Sequence, residues 1–264
     1  VFANKHFEIP SGQVSDKRER AFPFKFFTAS GLSILAPIAF LSLDVLLAKH
    51  FLPPVEAGKY ALVSLVGKLI YFAGAMVYPL IMPIVSRNEG ANKSSEKLLL
   101  WIFIFTFLVT GSGFLIWGIF GFLTVPVIFG EKSFEIISML EPFTLGMMLF
   151  CMSQIFVSFY LAKKIYTFPI AAFLLAMIQF GLIYINHGSV EMIVMDMFLM
   201  GLLNLVVMAS LHFSISYVKI FENNLNDLFG LFTRTLPFEL PLNQKSRILI
   251  FNWRDIRHVW SGGA

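Results

Sequence analysis

Apolar residues run along this chain in six blocks broken by short polar segments: Phe27 to Lys49, Ala57 to Ser86, Leu98 to Phe122, Ile136 to Ala162, Phe168 to Asn186 and Val190 to Tyr217. A helix needs about 20 predominantly apolar residues to cross the hydrocarbon core of a bilayer, and each block supplies them. Linkers of about 3 to 13 residues leave consecutive spans opposed in direction and side by side. The pattern therefore predicts an all-α integral membrane protein, a six-transmembrane-helix antiparallel bundle over residues 27–218.

The flanks read differently. Residues 1–26 are polar and mixed in charge, with Pro10-Ser11-Gly12 and the run Asp16 to Arg20, and read as a cytosolic connector. After the last span, Phe221, Leu225, Leu228, Phe229, Phe232 and Leu236 recur at helical spacing opposite Glu222, Asp227 and Arg234. Residues 219–241 are thus expected to form an interfacial amphipathic helix and linker, stopped by Pro237 and Pro241. Within 242–264, Arg247 to Phe251 has the length and branching of a strand, followed by the glycine-rich Ser261-Gly262-Gly263-Ala264. A start at Val1 without a cleavable leader and an end inside a glycine-rich turn suggest an excerpt of a longer protein.

Composition agrees with the pattern: 57% hydrophobic residues against 14% charged leaves too little polar coat for a soluble domain of 264 residues. Charge sets orientation. Of the 20 Lys and Arg, 16 lie in the two flanks and the loops on the same side as them, three (Lys49, Lys59 and Lys132) on the other side, and Lys68 within a span. Positive charge is retained in the cytoplasm. Both termini are therefore expected to be cytoplasmic, in a multi-pass protein of the cell's inner (plasma) membrane. Tyr60 and Tyr184 near the outer boundary, and Tyr160, Tyr166 and Tyr217 near the inner one, read as interfacial aromatics. No basic face on a soluble module suggests nucleic-acid binding. Asn92-Lys93-Ser94 matches a glycosylation acceptor but falls on the cytoplasmic side. The single Cys151 excludes a disulfide framework and a cysteine-based metal site, and no cofactor is expected.

Ionisable groups inside spans cost about 2.5 to 3.5 kcal/mol each on insertion scales, so each one needs a reason. Asp44, Lys68, Glu141 and Asp196 all fall in the outer half. They are the candidate substrate-binding or coupling residues, with snorkelling to the interface as the competing account of each. His212, near the inner end of the sixth span, reads as a packed or interfacial residue rather than a ligand. Pro79 and Pro83 remove two backbone donors near the end of the second span and are hinge candidates, or else a static kink. Gly111, Gly113, Gly118 and Gly121 of the third span read as packing glycines. No catalytic residues are evident in the spans.

Asp44, the short loop after it, Ala57-Gly58-Lys59-Tyr60 opening the next span, and the proline- and serine-containing close from Pro79 to Arg87 resemble the Wzx-type polysaccharide flippases of the multidrug/oligosaccharidyl-lipid/polysaccharide exporter superfamily. The resemblance covers about residues 20–218. It implies one lobe of a twelve-helix, two-lobe transporter, the second lobe, with the other upstream. It further implies alternating access of a polyprenyl-diphosphate-linked oligosaccharide from the cytosolic to the outer leaflet. Arg247 to Ala264, with Asn252-Trp253-Arg254-Asp255, resembles the opening strand and loop of a GT-B-fold glycosyltransferase, in which Gly262 and Gly263 would belong to the active-site loop. That implies a downstream transferase domain but no complete enzyme here. The rival readings are an ion-coupled drug exporter of the same superfamily, favoured by an acidic ion site without need of Lys68, and a membrane anchor for a glycosyltransferase.

Overall fold

The computed structural model describes the backbone of residues 24–91 and 93–235, and the side chains up to Tyr217 apart from Glu131 and Lys132. The described residues are helical, and six helical segments are long and apolar enough to cross a membrane: Phe24–Phe51, Pro54–Gly90, Glu96–Ile119, Ser133–Ala162, Thr167–Ile185 and Val190–Tyr217. The strand-like run and glycines expected within 242–264 lie outside the described residues, as do residues 1–23. The chain divides into two units after Phe213.

The first span is α1 (Phe24–Phe51). The second is broken into α2 (Pro54–Ala75) and α3 (Tyr78–Gly90). The third consists of α4 (Glu96–Phe114) and a π-helical turn, Leu115–Ile119. A short α5 (Gly121–Phe129) and a 3₁₀ turn, Glu131–Ile136, lead into the fourth span, α6 (Ile137–Ala162). The last two are α7 (Thr167–Ile185) and α8 (Val190–Thr235). The stretch after Lys219 thus continues the helix of the sixth span through Thr235.

One helix is unlike the rest. Within its apolar window α6 is 83% buried, against 17–44% for the other five spans. It is the axis of the unit, and α2, α3 and α4 all lie along it. Its polar side chains survive there because they fold back onto their own helix: Thr144 Oγ1 donates to the Leu140 carbonyl at 2.6 Å and Ser153 Oγ to the Phe150 carbonyl at 2.6 Å. Glycines let the backbones close in. A Cβ on Gly201 of α8 would strike the Gly146 carbonyl of α6, and one on Gly67 of α2 would enter the Phe143 ring. Gly113, Gly118 and Gly121 meet Ile70, Thr144 and Leu140 in the same way, whereas Gly111 has only Met148 at 3.9 Å.

Short linkers set α1 and α2 antiparallel, but the longest packing of α1 is against α7. A simple up-and-down order, with neighbours in sequence as the main neighbours in space, is thus modified: α7 returns across α6 to α1. Phe40 of α1 stacks on Phe150 of α6 with ring centroids 3.6 Å apart, and its carbonyl accepts Gln179 Nε2 of α7 at 3.0 Å. The outer surface carries large exposed apolar side chains such as Trp101, Leu108 and Phe122, as a lipid-facing surface requires.

Candidate functional site

Tyr60, Ser64 and Lys68 stand at i, i+4 and i+8 on α2, so three successive turns present polar groups along one face. All three converge on Asp44. The Tyr60 hydroxyl donates to Asp44 Oδ2 at 2.9 Å and Ser64 Oγ to the same oxygen at 3.1 Å. Lys68 Nζ lies 3.0 Å from both carboxylate oxygens. Tyr60 to Lys68 spans about 12 Å along the helix, so the two long side chains reach inward from either side of Ser64. Asp44 is completely buried and the Lys68 side chain is 12% exposed. Four donated contacts to one carboxylate are what an ionised Asp needs away from water.

The structure thus brings two of the four charged candidates together and adds Tyr60 and Ser64 to them. Tyr60, expected as an interfacial aromatic, is fully buried and serves as a ligand of the carboxylate. Its equal spacing with Ser64 and Lys68 was the available signal. Asp196 of α8 is also buried; its Oδ1 accepts Asn186 Nδ2 of the α7 end at 3.2 Å, while Oδ2 has no partner. Glu141 is exposed on the first turns of α6 and stands apart from this group.

One turn inward from Asp44 on α1 is Leu41, and one turn inward from Lys68 on α2 is Tyr71. These two, with Ser33, Pro37, Tyr78 and Gln154, line an open cleft of about 410 Å³ between α1, α2 and α6. The Asp44–Lys68 pair thus lies one helical turn along α1 and α2 from residues that line the cleft, whose walls are mostly apolar and carry Gln154 and Tyr78 among their polar groups.

The break in the second span falls at Met76 and Val77, where the Val77 N–H reaches back to the Gly74 carbonyl and α3 begins with Pro79 in its first turn. Pro83 lies inside α3, which continues through it. The break is pinned to α6: the Tyr78 hydroxyl donates to the Cys151 carbonyl at 2.8 Å and lies 2.7 Å from the Cys151 thiol. Toward the C-terminal end of α6, His212 Nδ1 lies 2.7 Å from the Tyr160 hydroxyl, and Tyr160 is buried and stacked on Phe168 at 3.9 Å. His212 is thus packed in an aromatic cluster. Tyr184 and Tyr217 are exposed, in keeping with interfacial positions. Among the described residues no group of three His, Cys, Asp or Glu side chains could hold a metal ion.

With this geometry, the chain is defined as a multi-pass membrane protein whose described residues are helical, with an ion pair inside the bundle. Comparisons with protein-family models, with curated proteins and with solved structures returned no match.

Proposed function

We propose that this chain is one lobe of a flippase that moves a polyprenyl-diphosphate-linked oligosaccharide across the membrane by alternating access against a partner lobe, with both termini in the cytoplasm. The observation that carries this reading is the Asp44–Lys68 pair, an ion pair inside the bundle one helical turn along α1 and α2 from Leu41 and Tyr71, which line the cleft. A lysine held by a carboxylate can change partners. A diphosphate offers several anionic oxygens, and moving Lys68 from Asp44 to a phosphate exchanges one opposite charge for another instead of leaving the cation bare. Asp44 would keep its Tyr60 and Ser64 donors through the exchange. The pair thus holds Lys68 in place while the cavity is empty and releases it to an anionic head group. The break at Met76 and Val77 with Pro79 and Pro83 supplies a point at which the second span can bend while α6 stays fixed.

The test is export of the lipid-linked glycan in cells carrying variants in the full-length gene, expressed per molecule of protein in the membrane. Lys68→Gln should impair export severely and Lys68→Arg less, because arginine keeps the charge. Native export per molecule by Lys68→Gln would remove Lys68 from the mechanism and leave a structural role for the pair.

A further inference from the structure

Two carboxylates are buried in the outer half of this bundle, and their surroundings differ. Asp44 is met by Tyr60, Ser64 and Lys68. Asp196, only 4% exposed, receives one neutral donor, Asn186 Nδ2 at 3.2 Å on Oδ1, and its buried Oδ2 receives none. An ionised carboxylate is an acceptor at both oxygens, and an uncompensated buried charge is far costlier than a neutral acid with an unfilled hydrogen bond. We infer that Asp196 is a proton-binding site: it holds a proton on Oδ2 while the outer end of the bundle is closed and releases it when that end opens to water.

The neighbours support a proton as the ligand. A metal ion would need several ligating side chains, and the described residues hold no cluster of three His, Cys, Asp or Glu. On α2, the Tyr60 hydroxyl is already committed as a hydrogen-bond donor to Asp44, and Lys68 is engaged by the same Asp44 of α1. The other charged groups near the outer end of α1, Lys49 and His50, are exposed. On α6 the one carboxylate, Glu141, is exposed. At the α7–α8 loop, His187 stacks on Phe51 and pairs with the Tyr184 carbonyl, and Glu191 is exposed. No described cation is paired with Asp196, so nothing on these elements replaces the proton.

The location gives the site its coupling. Asp196 lies six residues into α8, about 9 Å by helical rise from its start at the outer end. Asn186 is the residue that ends α7, so the Asn186–Asp196 contact ties the two helices across their short outer loop. Separating these ends removes the amide and admits water at the same moment. Hydration stabilises the ionised form, so opening and proton release are one event, and an inward-directed proton gradient would favour closing from outside. The inference goes beyond the flippase reading and does not need its substrate.

The test is the infrared carbonyl band of protonated carboxylic acid in the purified full chain in lipid nanodiscs at neutral pH, with aspartate labelled by ¹³C at Cγ. The expected result is one label-shifted acid band in the wild type that disappears in Asp196→Asn, with a folded, monodisperse variant. Should Asp196→Asn fail to fold, Asp196→Glu serves instead: the aspartate-labelled band should vanish and an unlabelled acid band replace it. Absence of a protonated aspartate band in the wild type, or its persistence when Asp196 is changed, would overturn the assignment. Because the measurement involves no glycan, its outcome is independent of the export assay.

Discussion

The Asp44–Lys68 pair makes a quantitative prediction about stability. Lys68→Met removes the cation but leaves Asp44 completely buried with Tyr60 and Ser64 as its remaining donors. Breaking a buried ion pair from one side costs about 3 to 5 kcal/mol, because the surviving charge is uncompensated. The 12% exposure of the Lys68 side chain and the two hydroxyl donors place the expected loss near the lower end, about 3 kcal/mol. Asp44→Leu strands Lys68, whose side chain keeps 12% exposure, and also deprives Tyr60 and Ser64 of their acceptor, at about 1 kcal/mol each. The double variant Asp44→Leu/Lys68→Met retains only the second penalty. The two single losses should therefore not add, and the cycle should show a coupling of about 3 kcal/mol or more, above the roughly 0.6 kcal/mol average for neutral interhelical hydrogen bonds in membranes. Reversible unfolding in mixed micelles, monitored for the four proteins of the cycle, measures it. Additivity within about 0.5 kcal/mol would mean that water already screens the pair, and the buried ion pair described above would be wrong.

Glycine contacts offer a matched comparison: Gly201→Ala should destabilise the bundle by more than about 2 kcal/mol in the same assay, because its Cβ would meet the Gly146 backbone, whereas Gly181→Ala, with open space around it, should be neutral or stabilising by up to about 1 kcal/mol. Tyr60→Phe should cost about 1 to 2 kcal/mol, measured by the shift in unfolding midpoint, since it removes one donor to a buried carboxylate; an unchanged midpoint would deny the 2.9 Å contact its role. For topology, in a Cys151→Ser background a cysteine at Ser189 should react with an impermeant thiol reagent in intact cells and one at Ser94 only after permeabilisation; reversed labelling would invert the proposed orientation. The native Cys151 thiol, fully buried against Tyr78, should stay unmodified until the protein is unfolded, which mass spectrometry after alkylation would reveal.

The six spans were legible because length and hydropathy alone define them, and their expected limits differ from the helical segments by only a few residues. Their arrangement was not legible, for a physical reason. In a soluble protein the polar face of a helix marks the outside, but lipid and protein interior are both apolar, so periodicity says little about which side of a span is buried. The place of α6 at the axis is written in Gly146, Thr144, Ser153 and Gln154, small or self-satisfying groups that lipid does not require. Those residues look unremarkable beside the glycines of the third span, of which Gly111 makes no close approach. The break at Met76 and Val77 was signalled by Pro79 and Pro83, while the π-helical turn at Leu115–Ile119 was not. It depends on a tertiary detail: Thr124 Oγ1 donates to the Ile116 carbonyl at 2.9 Å, satisfying an acceptor that the wider turn leaves over.

The charged candidates could be found in the sequence because an ionisable residue in a span is costly wherever it points, but cost alone assigns no state to it. Asp44 and Asp196 had similar depth and identical chemistry. What separates them is the α2 face that each does or does not meet. Tyr60, Ser64 and Lys68 form a four-residue repeat that reads as one donor ladder, and a single carboxylate occupies it. The second carboxylate has only an asparagine at the end of the neighbouring helix. A bundle that surrounds one acid with donors and leaves another short of them gives two chemically identical side chains different surroundings by packing alone. In the proposed function the acid met by three side chains holds the lysine that would recognise an anion, and the inferred proton site is the acid left short of donors.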